Sequence, residues 1–373
     1  MQKRIGGLDG LRAISIAAVV ALHLGQHYGG SRWVAMFSPD GVSVFFVISG
    51  FLITTLLLKE FDGTGTISLK QFYLRRTFRI FPPIYTYLLF LLIYVRYAHI
   101  SFPWSSFLSC VLFIRNYSTA PVVGLTMHTW SLAVEEQFYL IWPPVLIWVL
   151  SRWGKAAAAR LAVVLILISP LLRITTKLSG IAAFDKRETI MLHTRMDILM
   201  FGCLAALTIG TPLFERVYKA MARFWWLLFL EFAFLTHVLE WRFGHVYSHV
   251  IGMTVDGAAI MFFLVWCTRN TEHPVGRFLN SRPMVEIGVL SYSMYVWQTF
   301  LIYAFRWWAA IPLIFVISYA SYRLIEQPAL RLRDRVSRKE SRNLKRVTEP
   351  ATGSGNESFA GKNAQSAARV ETR

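Results

Sequence analysis

The sequence predicts an all-α, polytopic integral membrane protein of about ten helices. Three observations carry that expectation. Of the 373 residues, 55% are hydrophobic and only 16% charged, with a mean hydropathy of +0.46, which is far more apolar than a soluble domain of this size. Apolar runs near spanning length recur along almost the whole chain. The basic excess, 39 Lys and Arg against 21 Asp and Glu, falls in short clusters between alternate runs. That placement orients a membrane protein and speaks against nucleic acid as a partner.

In chain order, the first run covers about residues 11–28 and lacks a small-residue cleavage site, so it is expected to stay as a first helix. Further spans are expected near 41–58, 80–97, 130–150, 161–175, 194–210, 224–240, 250–267, 285–303 and 309–326. With the N-terminus inside, the clusters Lys70–Arg75–Arg76–Arg79, Arg152–Lys155–Arg160, Arg216–Lys219–Arg223 and Arg269–Arg277–Arg282 all fall inside. The basic tail from Arg331 does too, so both termini are expected to be cytoplasmic. The run from Ser106 to Tyr117 is too short to cross and suits a half-membrane or interfacial element. A membrane domain is therefore expected over 1–333, and residues 334–373 as a basic, disordered tail, polar and rich in Ala, Gly and Ser after Glu349. Cys110, Cys203 and Cys267 lie in or beside apolar runs, without metal-ligand or disulfide spacing, and read as packing residues.

Ionisable residues inside such runs are costly and mark candidate function. Arg12 and His23 lie eleven residues apart. At 100° per residue this is three turns plus about 20°, so they share one helix face about 16 Å apart along the axis. Spacing alone equally allows a snorkelling arginine and a histidine that bonds a neighbouring helix. Arg76 and Arg79 are three residues apart and can present two guanidiniums to a phosphate, although a solvated basic cluster has the same pattern. Pro82 and Pro83 are expected to fix the entry to the following span. Ser131, Glu135 and Tyr139 recur every fourth residue and line one face, with Glu136 and Gln137 turned away. A carboxylate there needs a partner, and His23 at similar depth is the expected one, which would support it as a general base. A structural hydrogen bond is the alternative.

The successive stretches LDGLRAISIAAVVALH, FFVISGFLIT, YLRRTFRIFP, WSLAVEEQFYLIWP, LSYSMYVWQ and RLIEQP, between about residues 5 and 333, resemble the signatures of the acyltransferase-3 family of integral-membrane acyltransferases. The resemblance implies about ten helices in a bacterial inner membrane. It also implies transfer of an acyl group, most often acetyl, from cytoplasmic acyl-CoA to a hydroxyl of an extracytoplasmic glycan or glycolipid. No bound cofactor or metal is implied, and acyl-CoA is a donor substrate. The family's motif residues fall on His23 and Glu135 as catalytic groups and on Arg12, Arg76 and Arg79 as donor-binding groups, with Ser131, Tyr139 and Gln298 in support. Gln298 departs from the family, where His is usual, so proton transfer there is not expected. With no outer hydrolase-like domain after the last span, the chain is expected to be the transferase module alone. The competing expectation is a transporter or flippase of lipid-linked saccharides, for which Glu231 and Asp256 would suit a proton relay.

Overall fold

A computed structural model describes residues 5–29, 40–121, 124–180, 189–244 and 247–336. The expected tail beyond residue 336 lies outside them. No strand occurs among the described residues. The helices are α1 (Leu8–Tyr28), α2 (Gly41–Thr64), α3 (Leu69–Tyr97), α4 (Trp104–Val111), α5 (Thr129–Leu178), α6 (Leu192–Thr208), α7 (Pro212–Ala222), α8 (Trp225–Leu230), α9 (Thr236–Phe243), α10 (Met253–Arg269), α11 (Pro274–Leu279), α12 (Arg282–Ala304) and α13 (Trp307–Ser321). The helical backbone also runs on from α8 into α9 through a wide π turn at Glu231–Leu235. Among the described residues six helical segments are long and apolar enough to cross a membrane. Others, such as the 17-residue α6 and the six-residue α8, are too short to count by that measure. The chain is an all-α integral membrane protein.

The contacts give the direction of each rod. On α1 and α12, His23 meets Gln298 and Tyr28 meets Ile302, while Gly7 meets Asn280 just before α12, so these helices run parallel. Ser49–Glu135 and Thr54–Trp142 set the first arm of α5 parallel to α2. At Gly154, φ is 75° and ψ −176°, a backbone that favours glycine, and there α5 folds back on itself. Its second arm starts at Lys155 beside Asp62 and ends with Arg173 on Asp197 of α6. The two expected spans at 130–150 and 161–175 are thus the arms of one hairpin.

Within a bilayer, apolar burial does not drive one helix onto another, and close backbone approach takes over. A Cβ on Gly50 of α2 would sit 2.0 Å from the Leu199 carbonyl oxygen, and one on Gly202 of α6 would sit 2.1 Å from that of Val47. Only glycine lets α2 and α6 touch in this way. Arg173 joins three elements from the buried interior, donating to Asp197 at 2.9 Å, to the Thr194 carbonyl at 2.7 Å and to Thr254 of α10 at 2.5 Å.

One element departs from expectation. Pro82 and Pro83 do not begin a span; they lie inside the continuous 29-residue α3. Two backbone donors are lost there. Tyr292 of α12 donates to the Ile80 carbonyl at 2.7 Å and Thr86 to that of Pro82 at 2.8 Å, so side-chain hydroxyls add bonds beside the prolines. The short run after residue 103 forms the eight-residue α4, whose Cys110 meets Thr129 of α5 at 3.3 Å, and the loop that follows is tied to α5 through Asn116 and Gln137 at 2.9 Å.

Candidate active site

Two cavities run into the bundle from opposite ends. The first lies among α1, α2, α3, α5 and α12 and has a volume of about 90 Å3. Its polar lining includes Arg12, Ser49, Arg76, Arg79, Glu135 and Tyr139. Helix α3 enters from the end that carries the Arg75–Glu60 and Lys155–Asp62 pairs, so Arg76 and Arg79 sit within its first three turns. Arg76 lies over the Tyr139 ring, 4.6 Å from its centroid, which fixes the guanidinium plane without consuming its donors. Arg12 is held by Asp9 at 3.0 Å.

Glu135 is the second correction. Its partner is Ser49, which donates to it at 2.6 Å, and the three arginines act on it through space. It lines the arginine cavity and does not orient His23. Helix-face arithmetic places Ser131, Glu135 and Tyr139 together correctly, and all three line this cavity. It cannot tell which neighbouring helix that face meets. Gln137 points away, as expected, and donates to the Phe113 carbonyl at 2.8 Å.

The second cavity, of about 360 Å3, lies near the ends of α1 and α12 and the starts of α2, α5, α6, α9 and α10. His23 lines it together with Asp40, His128, Trp130, Arg195 and Asp256. The His23 Nδ1–H donates to Gln298 Oε1 at 3.0 Å, and the Gln298 amide nitrogen donates to Thr299 at 2.9 Å. The second bond orients the amide, and the first leaves Nε2 of His23 with its lone pair, the form a general base requires. The residue that departs from the expected family pattern therefore holds the histidine. Val42 and Tyr295 line both cavities and form the neck between them. Tyr295 is pinned there, donating to the His128 carbonyl at 2.8 Å and hydrogen-bonded to Ser131 at 2.5 Å.

Sequence reasoning missed three residues of the second cavity. Asp40 caps α2 and accepts from Arg195 at 3.0 Å; the cap signal Asp-x-x-Ser was visible, but its partner lies 155 residues away. Arg195 also lies 5.5 Å from the centroid of the Trp130 ring. His128 opens the stretch HTWSLAVEEQFYLIWP but precedes the helix, so it fell outside the four-residue periodicity. Glu231 and Asp256 meet at Thr236, which lies 3.1 Å from the first and 2.7 Å from the second.

The all-α membrane bundle thus has an arginine cavity at one end and a histidine cavity at the other, with Val42 and Tyr295 at the neck between them. The chain belongs to the family described as an acyltransferase domain, whose model matches residues 5–323. It is similar to the peptidoglycan O-acetyltransferase OatA of Listeria monocytogenes, at 28% identity over 88% of this chain and 56% of that protein. It is also similar to the O-acetyltransferase OatA of Staphylococcus aureus, at 26% identity over 78% of this chain and 49% of that protein. The chain thus spans about half the length of these curated relatives. No solved structure matches it.

Proposed function

We propose that the protein is a membrane-embedded O-acetyltransferase that moves an acetyl group from cytoplasmic acetyl-CoA to a hydroxyl of an extracytoplasmic glycan or glycolipid. The observation that carries this reading is the pair of cavities meeting at Val42 and Tyr295. Arg76 and Arg79, with Arg12, hold the anionic nucleotide end of the donor, and the pantetheine arm leads the thioester to the neck. The acceptor enters from the other end. His23 Nε2 takes the proton of its hydroxyl, whose oxygen attacks the thioester carbonyl, and the leaving thiolate receives that proton. Positioned base catalysis of this kind contributes on the order of 10²- to 10⁴-fold. Glu135 acts from the arginine cavity, balancing charge beside the donor.

The name of the Listeria relative supports a cell-surface polysaccharide as the acceptor class. The alternating rod directions and the basic loops support ten crossings with both ends in the cytoplasm, in a bacterial inner membrane. The experiment is mass spectrometry of surface glycans, lipids and secreted small molecules from cells with and without the protein. One species should lose the mass of an acetyl group for each lost ester. An unchanged product profile with the protein folded and expressed sinks the transferase reading.

A further inference from the structure

His128 stands out among the buried polar groups. Its side chain is buried, at 1% exposure, yet it lines the histidine cavity. Neither ring nitrogen makes a hydrogen bond of ordinary geometry among the described residues, the Val296 backbone being the polar group that comes near enough to act on the ring. The ring is held by aromatic packing, edge-on to Tyr87 at 5.6 Å and to Tyr295 at 5.7 Å, while its backbone carbonyl receives the Tyr295 hydroxyl. An imidazole fixed by packing but denied partners costs stability, because each buried unpaired polar group forfeits its hydration. Such a cost persists where a ligand supplies the missing bond.

Resting on the acetyltransferase reading above, we propose that His128 is a catalytic residue whose ring N–H donates to the thioester carbonyl oxygen as that oxygen becomes an oxyanion. Three features place it there. Tyr295, against which the ring packs, lines both cavities, so His128 stands at the neck where donor meets acceptor. The His23 imidazole is near enough to act on it through space. The two histidines also differ in support: Gln298 fixes the tautomer of His23, which suits a base, whereas no side chain fixes that of His128 and neither of its nitrogens makes a bond of ordinary geometry. In the step, the acceptor oxygen forms a bond to the carbonyl carbon while its proton passes to His23 Nε2. The carbonyl π pair moves onto oxygen and is met by the His128 N–H. On collapse the C–S bond breaks and CoA thiolate leaves with the proton from His23.

Two substitutions separate this role from packing. His128→Phe keeps a ring against Tyr87 and Tyr295 and removes both nitrogens; His128→Gln keeps an N–H donor and removes the ring. Each purified full-length variant is reconstituted in liposomes and assayed for acetyl transfer from acetyl-CoA, beside wild type and His23→Ala. Loss of one oxyanion donor predicts that kcat of His128→Phe falls by about 10²- to 10³-fold with KM for acetyl-CoA within about twofold. His128→Gln should recover about tenfold of that loss. The Phe variant should melt no lower than wild type, since it removes only unpaired polar atoms. If the Phe variant is as active as wild type, or the Gln variant is the weaker of the two, His128 packs and does not catalyse, while the acetyltransferase reading stands on wild type and His23→Ala. If wild type itself transfers no acetyl group, that reading fails and this one falls with it.

Discussion

The chemistry at the residue scale turns on how His23 is held. A lone imidazole in a cavity rotates and exchanges tautomers, and a base needs one lone pair aimed at one proton. Gln298 supplies that constraint through a single acceptor oxygen at 3.0 Å, itself oriented by Thr299. Removing the partner of a functional histidine typically costs about 10- to 100-fold. Gln298→Ala is therefore expected to lower kcat in reconstituted transfer assays by about that factor, and His23→Ala to abolish transfer while the protein stays in the membrane at its normal level. Gln298→Glu, which retains an oxygen opposite Nδ1–H, should keep more activity than Gln298→Ala; equal losses in the two would remove the tautomer argument. The candidates Arg12, His23 and Glu135 were legible in the sequence because a charge inside an apolar run needs a reason, and Arg76 and Arg79 through their three-residue spacing and the family resemblance. Their partners were not. Helical phase shows which residues of one helix share a face, but Ser49 lies 86 residues from Glu135 and Gln298 lies 275 from His23, and no local pattern encodes those meetings.

Position along each helix, at the scale of elements, decides which reactant a side chain can reach. Helix α3 carries Arg76 and Arg79 on one face near its start, because three residues are close to one turn. It continues through Pro82 and Pro83, with the Tyr292 and Thr86 hydroxyls on the nearby Ile80 and Pro82 carbonyls. That continuity holds the arginines in register with Tyr139 of α5; a break at the prolines would have left them on a separate, loosely placed helix. Hydrogen bonds to charged groups contribute roughly 1.5–3 kcal/mol, or about 10- to 100-fold in binding. Arg76→Ala and Arg79→Ala should each raise KM for acetyl-CoA by about that factor with KM for the acceptor little changed. Initial-rate measurements varying each substrate in turn decide the point, and a rise confined to the acceptor KM would move these arginines out of the donor site. The sequence revealed the apolar extent of α3 but misplaced its start, since proline is read as a helix boundary and no local pattern shows that α12 meets the helix there.

The proposed transfer requires the molecule as a whole to keep its two cavities on opposite sides of the membrane, which makes its orientation part of that proposal. One end gathers Arg75–Glu60, Lys155–Asp62 and Arg269–Glu215. The other gathers Asp40–Arg195 and the Tyr28 contacts with Ile302 and Phe305. Arg76 and Arg79 open toward the first end, and His23 lies toward the second. Basic loops remain on the cytoplasmic side during insertion, and the proposed acetyl-CoA donor would be confined there, so under that proposal the same end must carry both. Reporter fusions after Lys155, Lys219 and Arg282 are therefore expected to read cytoplasmic, and fusions after Ile100 and Arg306 to read extracytoplasmic. The fusions after Ile100 and Arg306 are the decisive ones, because they follow α3 and α12, which carry Arg76, Arg79 and Gln298 from the first end toward the second. A cytoplasmic reading at either point would place a break in the alternation between the donor arginines and His23. The two cavities would then open to one compartment, and transfer across the membrane through the Val42–Tyr295 neck would have no route.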